Sequence, residues 1–298
     1  MVTRSFRLRR PLALAIAMSL AAGSLHAATL TVTTAADSDP SLPDTCTLRQ
    51  AVESANGGTS NIGNCGAGDS GADTIVFAAG LSGSTITLVD KLGIVQPLTI
   101  VGSNQDIVGP TGNYALFDSS VLTLSDLTIR DTDNSGHSGG ALRIQNGNLT
   151  LNNVTLSGNT ASSGAGISGG GSACAFNLTN TVISNNAATG SSSQGGGIFS
   201  TSCTMTLINS TISGNTAAIG GGINALYGTL NATGSTISGN TAIYSGGGIQ
   251  ASGSSVTINL DHSTLSGNTL STSSSSAFYR GGGLSLSSYG QATLTAST

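Results

Sequence analysis

Hydrophobic positions in this chain recur in columns. Counted back from Asn159, Asn186, Asn215, Asn240 and Asn268, apolar residues stand three positions earlier (Leu156, Ile183, Ile212, Ile237, Leu265). They stand again eight earlier (Leu151, Leu178, Leu207, Ala232, Leu260) and ten earlier (Leu149, Phe176, Met205, Leu230, Ile258). The five Asn residues are 27, 29, 25 and 28 residues apart, a period typical of stacked repeats. Positions ten and eight back face the same way on an extended strand, because side chains alternate with period two. One repeat cannot bury such a face, whereas a stack can. The pattern predicts an all-β, single-stranded parallel β-helix whose backbone hydrogen bonds run from coil to coil at roughly 4.8 Å.

The polar positions fit the same plan. Asn in one column of successive coils is expected to form an internal ladder of side-chain amides. Asn and Gly also tolerate the left-handed conformation that a tight corner needs. Gly139-Gly140, Gly164-Ala165-Gly166 and the runs at 195–197, 220–222, 246–248 and 281–283 each precede Leu or Ile after at most one residue. They mark the start of the next inward strand. Toward the N-terminus, Leu122, Leu124 and Ile129 stand in the same register to Thr132, which takes the Asn column of the first regular coil. Residues 73–77, 84–88, 91–95 and 98–101 supply earlier, less regular strands.

Gly-Gly-Gly-Ile followed by Ile-Ser-Gly-Asn or Leu-Ser-Gly-Asn resembles the repeats of polymorphic outer-membrane proteins. More broadly, the chain resembles bacterial right-handed β-helix surface proteins. The resemblance implies a right-handed solenoid, which agrees with the general preference of parallel crossovers.

Before the strands, Leu48, Ala51, Val52 and Ala55 fall on one face of a short helix. Thr47 and Gln50 form a capping box, and Asn56-Gly57-Gly58 ends the helix. The segment from Cys46 to Ala51 resembles the CSLREA segment that precedes bacterial surface β-helices, with Thr47 and Gln50 for its Ser and Glu. Physically, the helix is a lid for the exposed end of the first coil. Further upstream, Arg4, Arg7, Arg9 and Arg10 precede an apolar run from Leu12 to Ala22, and Leu25-His26-Ala27 offers a cleavage point. That is a secretory signal, too short to span a membrane. The expected organisation is a signal peptide at 1–27, a cap region at 28–72 and the β-helix at 73–298. Leu294 to Thr298 opens a further coil without its Ile-Ser-Gly-Asn, so the sequence is expected to be a fragment.

Export makes disulfides permissible. Cys46 and Cys65 flank the lid helix, and a bridge between them would tie it to the following loop. Cys174 and Cys203 each lie twelve residues before their coil's Asn. They should stack in adjacent coils within bridging distance.

Charge narrows the function. Charged residues are 7% of the chain, and twelve of thirteen carboxylates precede residue 134. Without the signal, five cations face thirteen carboxylates, a formal charge of −8. Nothing here would neutralise phosphates, so nucleic acid is excluded as a partner. Asp131-x-Asp133-x-Ser135-Gly136 imitates the opening of a calcium loop, but Leu142 stands where the bidentate Glu belongs. No cofactor is expected; calcium at this turn is the alternative. Gly136-His137 and Arg143-Ile144-Gln145 resemble in part the Gly-His and Arg-x-Lys elements of polygalacturonases. The expected role is a secreted or cell-surface, adhesin-like structural protein, a monomer or part of a larger chain. Its partners are glycans or proteins, and no catalytic residue is assigned. A polysaccharide lyase or hydrolase and a passive spacer are the alternatives. The gap between each Asn and the next Gly run varies from four to twelve residues, and variable corners of a solenoid often share its binding face. The longest gap ends in Phe278, Tyr279 and Arg280, the expected ligand contact.

Overall fold

The computed structural model describes residues 27–37, 44–57, 63–69, 71–110, 112, 115–271, 281–287 and 289–298. It is a right-handed parallel β-solenoid of roughly seven turns with one helix. The strands pair in the register that the apolar columns set. Leu122, Leu149, Phe176, Met205, Leu230 and Ile258 lie one above another. Ile129, Leu156, Ile183, Ile212, Ile237 and Leu265 form a second column. Phe117, Leu142, Ile167, Ile198, Ile223, Ile249 and Leu284 form a third, on the strands that follow the glycine runs. All but the terminal Leu265 and Leu284 are buried, in one core running the length of the molecule.

The strands of the first coils are β1 (Thr29–Val32), β2 (Asp73–Phe77), β3 (Thr85–Thr87), β4 (Leu92–Gly93), β5 (Leu98–Val108), β6 (Phe117–Arg130), β7 (Asp133–Ser138) and β8 (Leu142–Ser157); the helix α1 is Leu48–Gly57. The sequence put β1 in the cap region, yet it is a rung of the solenoid. It pairs with β2 from Thr29↔Thr74 to Val32↔Phe77, because Leu30 and Val32 alternate inward onto the core. Of the 91–95 strand only Leu92–Gly93 is extended.

The corners divide two tasks that the sequence had merged. The Asn column carries the amide ladder but not the left-handed backbone. Nδ2 of Asn159, Asn186, Asn215 and Asn240 donates to Oδ1 of the next Asn at 2.9–3.0 Å. The same Oδ1 accepts the backbone N–H of the residue before it in the ladder. Each Nδ2 also reaches a buried carbonyl, as Asn215 reaches Ile183. Thr132 ends the ladder on Asn159. The left-handed turns fall one residue earlier (Asp131, Gly158, Asn185, Gly214, Gly239, Gly267) and six earlier (Asp126, Asn153, Asn180, Asn209, Gly234, His262). Both columns hold residues whose short or absent side chains tolerate positive φ, with His262 as the exception. Its Nδ1 pairs with Asp261 at the surface.

A second ladder, unread in the sequence, runs five residues before the Asn column. The backbone N–H groups of Thr181, Ser210, Ser235 and Ser263 donate to the hydroxyls of Ser210, Ser235, Ser263 and Ser297, each at 3.1 Å. The glycine runs allow the closest backbone approach. A Cβ at Gly196 would collide with the carbonyl oxygens of Gly221 and Thr216.

The helix lies over the first coil with Leu48, Ala51, Val52 and Ala55 buried. Its capping box is reciprocal: the Thr47 N–H donates to Gln50 Oε1 at 2.9 Å, and the Gln50 N–H to Thr47 Oγ1 at 3.1 Å. Two side chains clamp it to the edge of the coil. Arg49 holds Asp37 in two parallel hydrogen bonds of 2.8 Å and donates to the carbonyls of Asp90 and Lys91. Asn56 donates to Gly93 and accepts from Val95. These groups satisfy backbone that an open sheet edge would leave bare. Disulfides join Cys46 to Cys65 and Cys174 to Cys203, the latter pair with Cα atoms 4.5 Å apart.

Three expectations follow. Asn215→Ala orphans two buried donors of Asn186 and should destabilise by about 2–5 kcal/mol, lowering the urea midpoint far more than Asn231→Ala on the outer surface. Arg49→Ala leaves Asp37 buried without its partner and should cost about 3 kcal/mol, read by thermal melting. Thiol titration of denatured, unreduced protein should find no free thiol, and four reactive thiols would contradict the pairing.

Candidate functional site

Two opposite charges of the regular coils meet where β6 and β8 begin. Because Phe117 and Leu142 point inward in register, the next residues, Asp118 and Arg143, stand side by side on the outer face. Arg143 Nη1 lies 3.1 Å from an Asp118 carboxylate oxygen, and both side chains are half-exposed. Gln145 lies two positions beyond Arg143 on the same face. With its amide oriented to satisfy both groups, its oxygen accepts from Arg143 Nε at 3.0 Å.

The wall beside them is a corner insertion. The chain leaves the ladder at Thr132 and spends six residues, Asp133–Ser138, before the left-handed Gly139. Asn134 points inward in register with Ala161. Its Nδ2 donates to the carbonyls of Ser138 and Gly139 at 3.3 and 2.5 Å. Its Oδ1 is buried without a partner, and this uncompensated acceptor is costly in a native interior. The cleft between insertion and sheet has a volume of about 460 Å³. It is lined by Lys91, Ala115, Asp118, Asn134, Gly136, His137, Ser138, Arg143 and Ser162.

Two further depressions adjoin it along the solenoid. One of about 420 Å³ shares Lys91 and Asp118 and adds Ser119, Gln145 and Val95. The other, of about 400 Å³, shares Ser138 and Arg143, adds Gln145 and Ser168, and ends at Phe199 and Thr201. Ser119 Oγ, like Asn134 Oδ1, is buried without a partner.

The turn singled out for calcium has the following contacts. Asp131 binds Arg130 Nη1 at 2.6 Å and occupies a left-handed corner. Asp133 accepts the Ser135 N–H at 3.0 Å. Hydrogen bonds donated by Arg130 to Asp131, and then to Asp106, raise its pKa above the ordinary value and keep the guanidinium charged. Among the described residues no three His, Cys, Asp or Glu side chains converge as metal ligands. His137 and Arg143, which the sequence set six residues apart, do share the cleft. The five ladder Asn residues and the four cysteines serve the core and the cross-links. Phe278, Tyr279 and Arg280, like Met1 to His26, lie outside the described residues.

Sequence reasoning missed Lys91, Asp118 and Ser119 as members of this site. The columns did hold a signal, since Asp118 and Arg143 each follow an inward residue of the same column.

A sequence family described as a right handed beta helix region matches residues 115–298. No curated protein and no solved structure matches the chain.

Proposed function

The chain belongs to the right-handed β-helix family, and we propose that it is an exported, adhesin-like scaffold that holds a binding face at the cell surface or in the medium. One observation carries this reading. The regular coils are locked by internal ladders of Asn amides and of Ser hydroxyls, while Lys91, Asp118, His137 and Arg143 line one cleft beside a corner insertion. That is the build of a rigid rod with a local docking surface. Its exterior along the regular coils is Thr, Ser and Asn, which suits exposure to solvent without steering nucleic acid. The Arg-rich, apolar start of the sequence supplies the export signal. Among the described residues no helix is long and apolar enough to cross a membrane.

Chemistry on glycans is the second reading, favoured by the meeting of His137 and Arg143 in the cleft. Hydrolysis of a glycosidic bond ordinarily uses two carboxylates flanking it. Of the three depressions, two are lined by one carboxylate, Asp118, and the third by none. Asp118 is moreover tied to Arg143. These features support binding over cleavage.

Two measurements test the proposal. Fractionation of cells expressing the full sequence should find it outside the cytoplasm and shortened by about its first 27 residues, the span read as the signal. A panel of polygalacturonate, alginate and neutral glycans, with and without calcium, should show retention and no cleavage. Cleavage abolished by Asp118→Asn, Asp131→Ala or Asp133→Ala would make this an enzyme. Neither cleavage nor retention of any glycan or surface protein would leave a spacer.

A further inference from the structure

Two carboxylates are buried among the described residues, Asp37 and Asp73. Asp37 has a cation beside it, Arg49. Asp73 is only 1% exposed, yet no ion pair between described side chains includes it. Backbone amides hold it instead. The Asp69 N–H donates to Oδ2 at 3.0 Å and to Oδ1 at 3.3 Å, and the Ala28 N–H donates to Oδ1 at 2.8 Å. A carboxylate taken out of water and met only by neutral donors is costly, and a positive charge at the same place would offset that cost.

The position of Ala28 supplies one. Ala28 directly follows Ala27, where the Arg-rich, apolar start of the sequence offers its cleavage point. Ala27 is exposed and Ala28 is partly buried. The first rung sets the geometry: Thr29 pairs with Thr74, so the residues before them, Ala28 and Asp73, meet. The Ala28 carbonyl also accepts the Thr74 N–H at 2.8 Å. Hydrolysis of the Ala27–Ala28 bond by a signal peptidase consumes one water. Its oxygen completes the Ala27 carboxylate, and both its protons end on the Ala28 nitrogen, which becomes an ammonium. The new charge arises at the atom already hydrogen-bonded to the buried carboxylate. We infer that removal of the signal creates an ion pair between the Ala28 ammonium and Asp73, and that this pair locks the first rung onto the solenoid. The inference rests on the export reading above and adds what processing does to the fold. The lock reaches the lid as well. The Thr33 N–H, just beyond β1, donates to the Cys46 carbonyl at 2.8 Å, and the Cys46 N–H donates to Thr33 Oγ1 at 2.8 Å. A chain that keeps its signal has only the neutral amide at Asp73, so its first rung opens more readily and closes firmly only after cleavage.

The test compares two preparations of the chain that starts at Ala28, one with a free amine and one acetylated at that nitrogen. Acetylation keeps an N–H donor for Asp73 and removes the charge, so the comparison isolates the ion pair. Amide hydrogen exchange across residues 29–32 and 74–77 should be about tenfold slower with the free amine, the margin of a charge-assisted over a neutral hydrogen bond. Exchange in the coils beyond Asn186 should be the same in both. Asp73→Asn should erase the difference. If that variant does not fold, the two preparations of the unsubstituted chain decide the matter alone. Equal exchange in them would overturn the ion pair. N-terminal sequencing of the exported protein should read Ala28-Thr29-Leu30, and any other first residue would overturn the lock. Retention of an uncleaved chain in the cytoplasm would instead overturn the export reading and the role of processing, while a tenfold difference between the two preparations would still establish the pair.

Discussion

The need to satisfy buried polar groups at every corner governs this structure. A stacked coil must turn several times per repeat, and each turn takes backbone N–H and C=O groups out of the strand ladder. The Asn column meets this demand with a side chain that both donates and accepts, so each coil completes its neighbours. The amide must lie inside the corner, and the left-handed residue must precede it. That is why Gly or Asn, with Asp at one corner, stands immediately before each ladder residue. The Ser and Thr hydroxyls repeat the device at a second corner. Stability is therefore cooperative between adjacent coils and local to them.

The same constraint explains the lid. A solenoid whose coils satisfy one another leaves one coil unsatisfied at its end. Arg49 and Asn56 act on backbone carbonyls and an amide of residues 90–95, and Asp37 takes the N–H of Val89. The apolar helix face and the Cys46–Cys65 bridge cover the core beneath. Charge is thus spent mainly where the repeat is interrupted, at the lid and in the first long coils. Farther along, the columns leave little need for it.

The cleft follows from a break in that economy. Where later coils carry Ala161 and Ala188, the first regular coil has Asn134, in the six-residue corner Asp133–Ser138. The larger side chain costs an unpaired acceptor, and the insertion raises a wall over Asp118 and Arg143. The buried acceptor of Asn134 beneath this cleft is where the structure departs from self-sufficiency.

The sequence by itself determined the fold, the register of its columns and the capping box. These depend on local spacing: period two within strands, a near-constant repeat between Asn residues, and Thr47 three before Gln50. The cysteine stacking was legible for the same reason, since residues at equal distance from a ladder Asn meet in adjacent coils. Tertiary structure alone decided what lies across the coils. It brought Lys91, Asp118 and Arg143 to one cleft and joined Asp37 to Arg49. It also assigned the left-handed turns to the residues beside the ladder. It made β1 a rung and not part of the lid. Those outcomes rest on which way each outward side chain leans and on the path of each corner, and neither is encoded in the periodicity that places the residues facing in.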